Sequence, residues 1–140
     1  MKTVLTAALL LAASAAYPAQ AACTQAELAG TWTAETLSLA TGGRLIWITC
    51  TLAINAVGGF TANTSACLNS NGQRSDARGT LKVFDAPNCA FAGNVNLVGF
   101  KSNLYVRNLT LAQDHSVASG VGGGGNQYGS AFSFNLVKVK

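Results

Sequence analysis

Few side chains in this sequence could carry chemistry. Its one histidine, His115, stands in Asp114-His115-Ser116, and its acids are Glu27, Glu35, Asp76, Asp85 and Asp114. A nucleophilic triad is assembled in space from distant parts of a chain, so three neighbouring residues of the right types do not make one. Glycoside hydrolysis needs two carboxyl groups at a set separation, one with its pKa raised by burial. Asp76 lies between Arg74 and Arg78, Asp85 opens a turn before Pro87, and Asp114 falls in a loop. Glu35 alone is on a predicted strand with an inward option, and it has no mate. The expectation is a protein that is not an enzyme, with no catalytic residue.

The four cysteines, Cys23, Cys50, Cys67 and Cys89, show no metal-ligand spacing, and the lone histidine has no partner, so no metal site is expected. An even number of cysteines in a small exported domain reads as two disulfides. The run Gly122 to Gly125 lacks the following Lys and Ser/Thr of a phosphate-binding loop and reads as a flexible hairpin loop, with Tyr128 as its anchor. No cofactor is implied. Asn63-Thr64-Ser65 and Asn108-Leu109-Thr110 match glycosylation sequons but fall on predicted strands and receive no role. Trp32 and Trp47 are read mainly as packing residues.

The elements that position these residues begin after a leader. Lys2, an apolar run from Val4 to Ala16, the helix-breaking Tyr17-Pro18 and Ala19-Gln20-Ala21 together predict a secretory signal peptide over residues 1–21, cleaved near Ala21. The protein is then secreted or periplasmic, and residues 22–140 form a single domain. The apolar run is too short to span a bilayer, and no second run is long enough, so no membrane span is expected. Lipid attachment at Cys23 is the competing reading; it would leave an unpaired thiol, and Gln20 stands where such signals want a branched apolar residue. The net charge of +4 includes Lys2, and the basic residues are scattered apart from a loose group at Arg74, Arg78 and Lys82. That group reads as a solvated edge, and no nucleic-acid partner is expected.

Thr24 and Glu27 match a capping box, predicting one helical turn over 25–29 that Gly30 ends. Thereafter β-rich runs are cut at short intervals by turn residues. Strands are predicted at 30–39, 44–55, 59–68, 77–84, 89–98, 103–112, 116–121 and 130–139. Eight short strands with short connections predict an all-β, antiparallel up-and-down meander that closes into a small barrel, with an open sandwich as the alternative. Within strands, one face is apolar: Ile46, Ile48, Cys50, Leu52 and Ile54 alternate with a mixed face that carries Trp47. Small inward residues such as Gly93 leave either tight packing or a small space.

The cysteines expose a conflict of register. A two-residue turn at Gly58-Gly59 sets Cys50 opposite Cys67 at a close-spaced site suited to a disulfide, but it places Ile54, Leu52 and Ile48 against Asn63, Ser65 and Asn69. A type I turn from Asn55 to Gly58 with a glycine bulge instead pairs Ile54 with Phe60, Leu52 with Ala62, Ile48 with Ala66 and Ile46 with Leu68. The second register is expected near the turn. Cys50 then reaches Cys67 only if a bulge around Asn63 to Ala66 shifts the phase. The predicted bridges are Cys50 to Cys67 and, by elimination, Cys23 to Cys89.

Leu28-Ala29-Gly30-Thr31-Trp32-Thr33 resembles the start of the calycin barrels, lipocalins and avidins, where a short helical turn or coil leads into a first strand carrying Gly-x-Trp. The bacterial metalloprotease inhibitors built on a similar barrel begin likewise, and Thr64 to Leu68 is faintly similar to theirs. The resemblance implies a fold class, with Trp32 as a plug at one barrel end. Avidins use several tryptophans at the biotin site; only Trp47 accompanies Trp32 here, so no biotin-binding residue carries over. Lipocalins pack a late arginine on the first tryptophan, and the nearest basic residues are Lys138 and Lys140.

By that analogy, the expected function is an exported, non-enzymatic β-barrel module that binds a small apolar ligand. The alternative is a protein-interaction module, such as a protease inhibitor or a surface or adhesive protein, working through the loop at 122–128 or exposed aromatics.

Overall fold

A computed structural model describes residues 22–39, 43, 45–124 and 131–139, and the predicted leader at 1–21 lies outside them. The predicted helical turn is a 3-10 turn, Gln25–Leu28, in which the Thr24 amide donates to Glu27 Oε2 at 2.9 Å. Eight strands follow: β1 (Gly30–Leu39), β2 (Leu45–Ile54), β3 (Ala66–Asn69), β4 (Arg74–Asp85), β5 (Ala90–Leu97), β6 (Ser102–Leu111), β7 (Val117–Gly124) and β8 (Phe132–Lys138). Each pairs antiparallel with its neighbour in sequence, and β8 pairs with β1, so the sheet closes into a barrel rather than a sandwich. Closure removes the free edges that an open sheet would expose.

Alternation sorts the side chains. Trp32, Ala34 and Thr36 of β1 are buried, as are Ile46, Ile48, Cys50, Leu52 and Ile54 of β2 and Phe132, Phe134 and Leu136 of β8. Burial of Leu81, Phe91, Val95, Leu97, Leu104, Val106 and Leu109 continues the core around the barrel. Gly93 resolves toward tight packing. A Cβ there would lie 1.9 Å from the Thr80 carbonyl oxygen, so β4 and β5 approach each other more closely than a side chain permits.

The third strand departs from the expected 59–68. Residues 61–64 leave the sheet in a turn, Asn63 adopts a left-handed conformation (φ 65°), and only Ala66–Asn69 pairs as β3. Both registers exist, on either side of this turn. Ile54 bridges Phe60 and the Thr61 amide donates to Ala53 O, whereas farther on Thr51 faces Ala66 and Cys50 faces Cys67. The phase shift lies at the bulge the cysteines require. Beyond Thr61 the pairing of Ile46 with Leu68 is lost, and Leu68 faces Thr49 on the outer wall.

The short β3 pairs only with Arg74, Ser75 and Asp76 of β4, and beyond them three separate pieces, residues 58–60, the Gln25 side chain and, just past the strand's end, Cys23, supply hydrogen bonds on that side. Phe60 N donates to Gly79 O and Leu81 N to Gly58 O. The Gln25 side-chain amide donates to Leu81 O at 3.0 Å and accepts from Val83 N at 2.9 Å, which is the pattern a neighbouring strand would offer. Cys23 N then donates to Ala86 O. Gly58 (φ 82°) fits this seam because it lacks a Cβ, which would lie 2.1 Å from Leu81 O.

Candidate functional site

The barrel has two unlike ends. At the end where β1 starts and β8 finishes, the 3-10 turn folds across the opening. Leu28 and Trp32 are fully buried there, and the indole Nε1 donates to Leu28 O at 2.8 Å. Lys138 Nζ lies 5.2 Å from the centroid of the Trp32 ring and donates to Glu27 O at 3.2 Å. The Cys23–Cys89 disulfide ties the turn to the β4–β5 connection, and Cys50–Cys67 bridges β2 to β3. Two disulfides are the chemistry of an oxidising, extracytoplasmic environment.

The other end, where β1, β3, β5 and β7 finish, carries most of the buried polar side chains. Thr36, Asn69, Ser75 and Ser102 are buried within one or a few residues of these strand ends. Asn69 Oδ1 accepts from the Asn71 and Gln73 amides and its Nδ2 donates to Gln73 Oε1, shaping the β3–β4 turn. Ser75 Oγ accepts from Gly99 N at 2.8 Å, holding the 3-10 turn Val98–Phe100. These two groups are spent on local structure.

The acids are dispersed. Glu27 serves the 3-10 turn, Asp76 pairs with Arg74 at 3.6 Å on the exposed face of β4, and Asp85 accepts from Asn88 Nδ2 at 2.7 Å. The Ser116 hydroxyl, donating to Asp114 Oδ2 at 2.7 Å, holds the Asp114 carboxyl below the usual aspartate range, helped by the Ser116 amide. Glu35 faces outward, correcting the inward option. Parity decides it, because Trp32 points inward and strand side chains alternate.

His115 is half-buried and in a left-handed turn (φ 56°). Ligand atoms of His115, Glu27 and Cys23 lie within 4.8 Å of one another, but Cys23 is consumed by its disulfide, so the group offers a metal only two of its three donors. Asn63 lies in the exposed turn rather than on a strand, and Asn108 lies on β6 at a bulge beside Arg107. Arg74, Arg78 and Lys82 occupy exposed alternate positions of β4, with the Lys82 ammonium donating to Val57 O. The glycine-rich run is strand β7 as far as Gly124; residues 125–130, with Tyr128, lie outside the described residues.

One concavity lies on the outer wall. A groove of about 490 Å³ runs over β8, β1 and β2, lined by Glu35, Leu37, Trp47, Thr49, Ser133 and Asn135, with Thr36 and Ile48 between them. Pairing arranges these side chains as two rows across three strands: Thr49, Glu35 and Asn135 in one, Trp47, Leu37 and Ser133 in the next. Trp47 is 48% exposed and Leu37 50%. A smaller hollow of about 360 Å³ continues over β2, β3 and β4 and shares Thr49. The sequence placed Trp47 on the outer face; the strand register that gathers the other five around it was not readable.

No protein-family model matches the sequence, and no curated protein matches it. Similar solved structures include a de novo designed fluorescence-activating β-barrel (13% identity, TM-score 0.58), covering 83% of this chain and 98% of that one. A redesigned β-barrel is similar over 85% of this chain and 99% of its own (14% identity, TM-score 0.59). EF1p2_mFAP2b bound to DFHBI matches over 83% of this chain and 99% of its own (10% identity, TM-score 0.55). At such identities the likeness is one of fold, that of a small closed β-barrel and not of the calycins in particular.

Proposed function

We propose that the protein is an exported, non-enzymatic binding module that takes a small apolar ligand through the barrel end opposite Trp32. The observation that carries this reading is the asymmetry of the barrel. One end is closed by Leu28, Trp32, Lys138 and a disulfide, while four of the five buried polar side chains among the described residues, Thr36, Asn69, Ser75 and Ser102, gather at the other, around an interior otherwise lined by Ile, Leu, Val and Phe. Small-molecule sites combine such apolar walls with a few polar groups that orient the ligand. Among the structural neighbours, one is named as fluorescence-activating and another as bound to DFHBI, which supports a barrel of this size as a small-molecule host. The leader at 1–21 and the two disulfides support export. Dispersal of the five carboxylates over separate elements supports a binding role over catalysis.

Native mass spectrometry of protein purified from its source, combined with titration of the environment-sensitive apolar dye 1-anilinonaphthalene-8-sulfonate, tests the reading. A co-purifying small-molecule mass released on denaturation, or saturable micromolar dye binding weakened by Phe132→Trp in the interior, is expected. An entirely ligand-free spectrum together with no saturable dye binding would overturn it.

A further inference from the structure

We propose that the outer groove over β8, β1 and β2 is a second, separate binding site, and that its ligand is a neutral saccharide stacked on Trp47. This does not depend on the interior reading, since the groove side chains point away from the core.

A pyranose offers a flat patch of C–H groups on one face and a rim of hydroxyls, each both donor and acceptor. A surface that holds it therefore needs an accessible aromatic face bordered by mixed hydrogen-bonding groups. The chain has two tryptophans and treats them in opposite ways: Trp32 is fully buried and its Nε1 is bonded, whereas Trp47 is half in solvent. Among the described residues Trp47 contacts no other aromatic ring and no cation. An indole with one side apolar and one side wet is the residue type that binding surfaces favour.

The groups around it suit hydroxyls. Glu35 contributes two acceptor oxygens, Asn135 both an acceptor and donors, and Thr49 and Ser133 a hydroxyl each. None of these four side chains has a hydrogen-bond or ion-pair partner among the described residues, so their capacity is unspent. Glu35 stands directly between Thr49 and Asn135 in the pairing, and Leu37 directly between Trp47 and Ser133. Strand spacing makes this array about 10 Å across and about 7 Å along, the footprint of one or two sugar rings. The volume of about 490 Å³ is also in the range of small-ligand sites.

Charge narrows the class. Among the described residues Glu35 is the one charged group in the lining, and no cation lines the groove, so a carboxylated or sulfated sugar would be repelled. A protein partner is the weaker reading of this face. Interface centres are depleted in charged residues and serine, yet here a glutamate lies mid-row among Thr49, Asn135 and, on the next strand, Ser119.

The test is a glycan array of neutral and anionic oligosaccharides, with co-sedimentation on insoluble cellulose and chitin. Retention on neutral glycans is expected, with a blue shift of tryptophan emission that disappears in Trp47→Phe. Trp47→Ala should lower retention at least tenfold, and Glu35→Gln and Asn135→Ala three- to tenfold, without loss of the β circular dichroism signal or of interior dye binding. Retention that Trp47→Ala leaves intact, binding confined to anionic glycans, no binding to any glycan, or Trp47-dependent capture of a protein instead would each overturn the proposal.

Discussion

The ammonium group of Lys138, on the last strand, lies over the ring of Trp32, on the first, at 5.2 Å from its centroid. The same ammonium donates to Glu27 O, so one side chain joins the first and last strands to the 3-10 turn. A cation over an indole contributes about 1 kcal/mol at a partly desolvated site. Lys138→Met is expected to lower the unfolding free energy by about 1–2 kcal/mol, the hydrogen bond included. Lys138→Arg should retain most of the stability. A double-mutant cycle with Trp32→Leu in urea should give a coupling of about 1 kcal/mol, and a coupling near zero would show that the two residues are merely adjacent.

Gln25 makes a sharper prediction, because its amide replaces a missing strand. Gln25→Ala leaves Leu81 O and Val83 N without partners in a part-buried seam, at an expected cost of about 1–3 kcal/mol. Gln25→Glu keeps the acceptor for Val83 N but sets a carboxylate oxygen against Leu81 O, so its penalty should shrink as the side chain is protonated. Amide hydrogen exchange reads this locally: Val83 should exchange faster in Gln25→Ala, while amides of β6 stay protected. Uniform loss of protection instead would mean that the seam is not a local unit.

Much of the barrel was legible because local signals agreed with the global fold. Turn residues at regular intervals set off the strands, and parity from Trp32 sorts β1 into buried Trp32, Ala34 and Thr36 and exposed Glu35 and Leu37. The third strand was less legible. Thr61 to Ser65 falls inside the predicted strand, but two incompatible registers must meet there, and a turn with left-handed Asn63 reconciles them. Only the demand that Cys50 face Cys67 announced it. Gln25's partners stand 56 and 58 residues away and are reached by a side chain, so no period or turn signal could reveal them. The groove around Trp47 was hidden for a related reason: its rows are set by the register of β1 against both β2 and β8, a property of closure.

The two disulfides should differ in weight. Cys23–Cys89 closes a separation of 66 residues and Cys50–Cys67 one of 17. Chain-entropy arguments assign about 4 kcal/mol to the longer loop and about 3 kcal/mol to the shorter. Denaturant unfolding of Cys23→Ala/Cys89→Ala and Cys50→Ala/Cys67→Ala should therefore show the greater loss in the first. Its loss should be enlarged because Cys23 also anchors the turn that carries Leu28 over the barrel end. The reverse order would mean that the phase shift between β2 and β3 depends on its bridge more than the plug does.

Asp114 supplies a pH prediction with a defined sign. Its carboxyl is held below the ordinary aspartate value, first by the Ser116 hydroxyl and then by the Ser116 amide. A depressed folded-state pKa means that the charged form is favoured by folding, so this interaction is fully present above the unfolded aspartate pKa and is lost as pH falls through the lower folded value. Because the group is exposed, its effect on global stability should be small, and the informative quantity is the pKa itself. Ser116→Ala should raise it toward the ordinary value while leaving part of the depression, since the backbone amide of residue 116 remains. NMR titration of the Asp114 carboxyl carbon reads the change directly. Identical titration curves for the two proteins would assign the depression to the backbone turn alone.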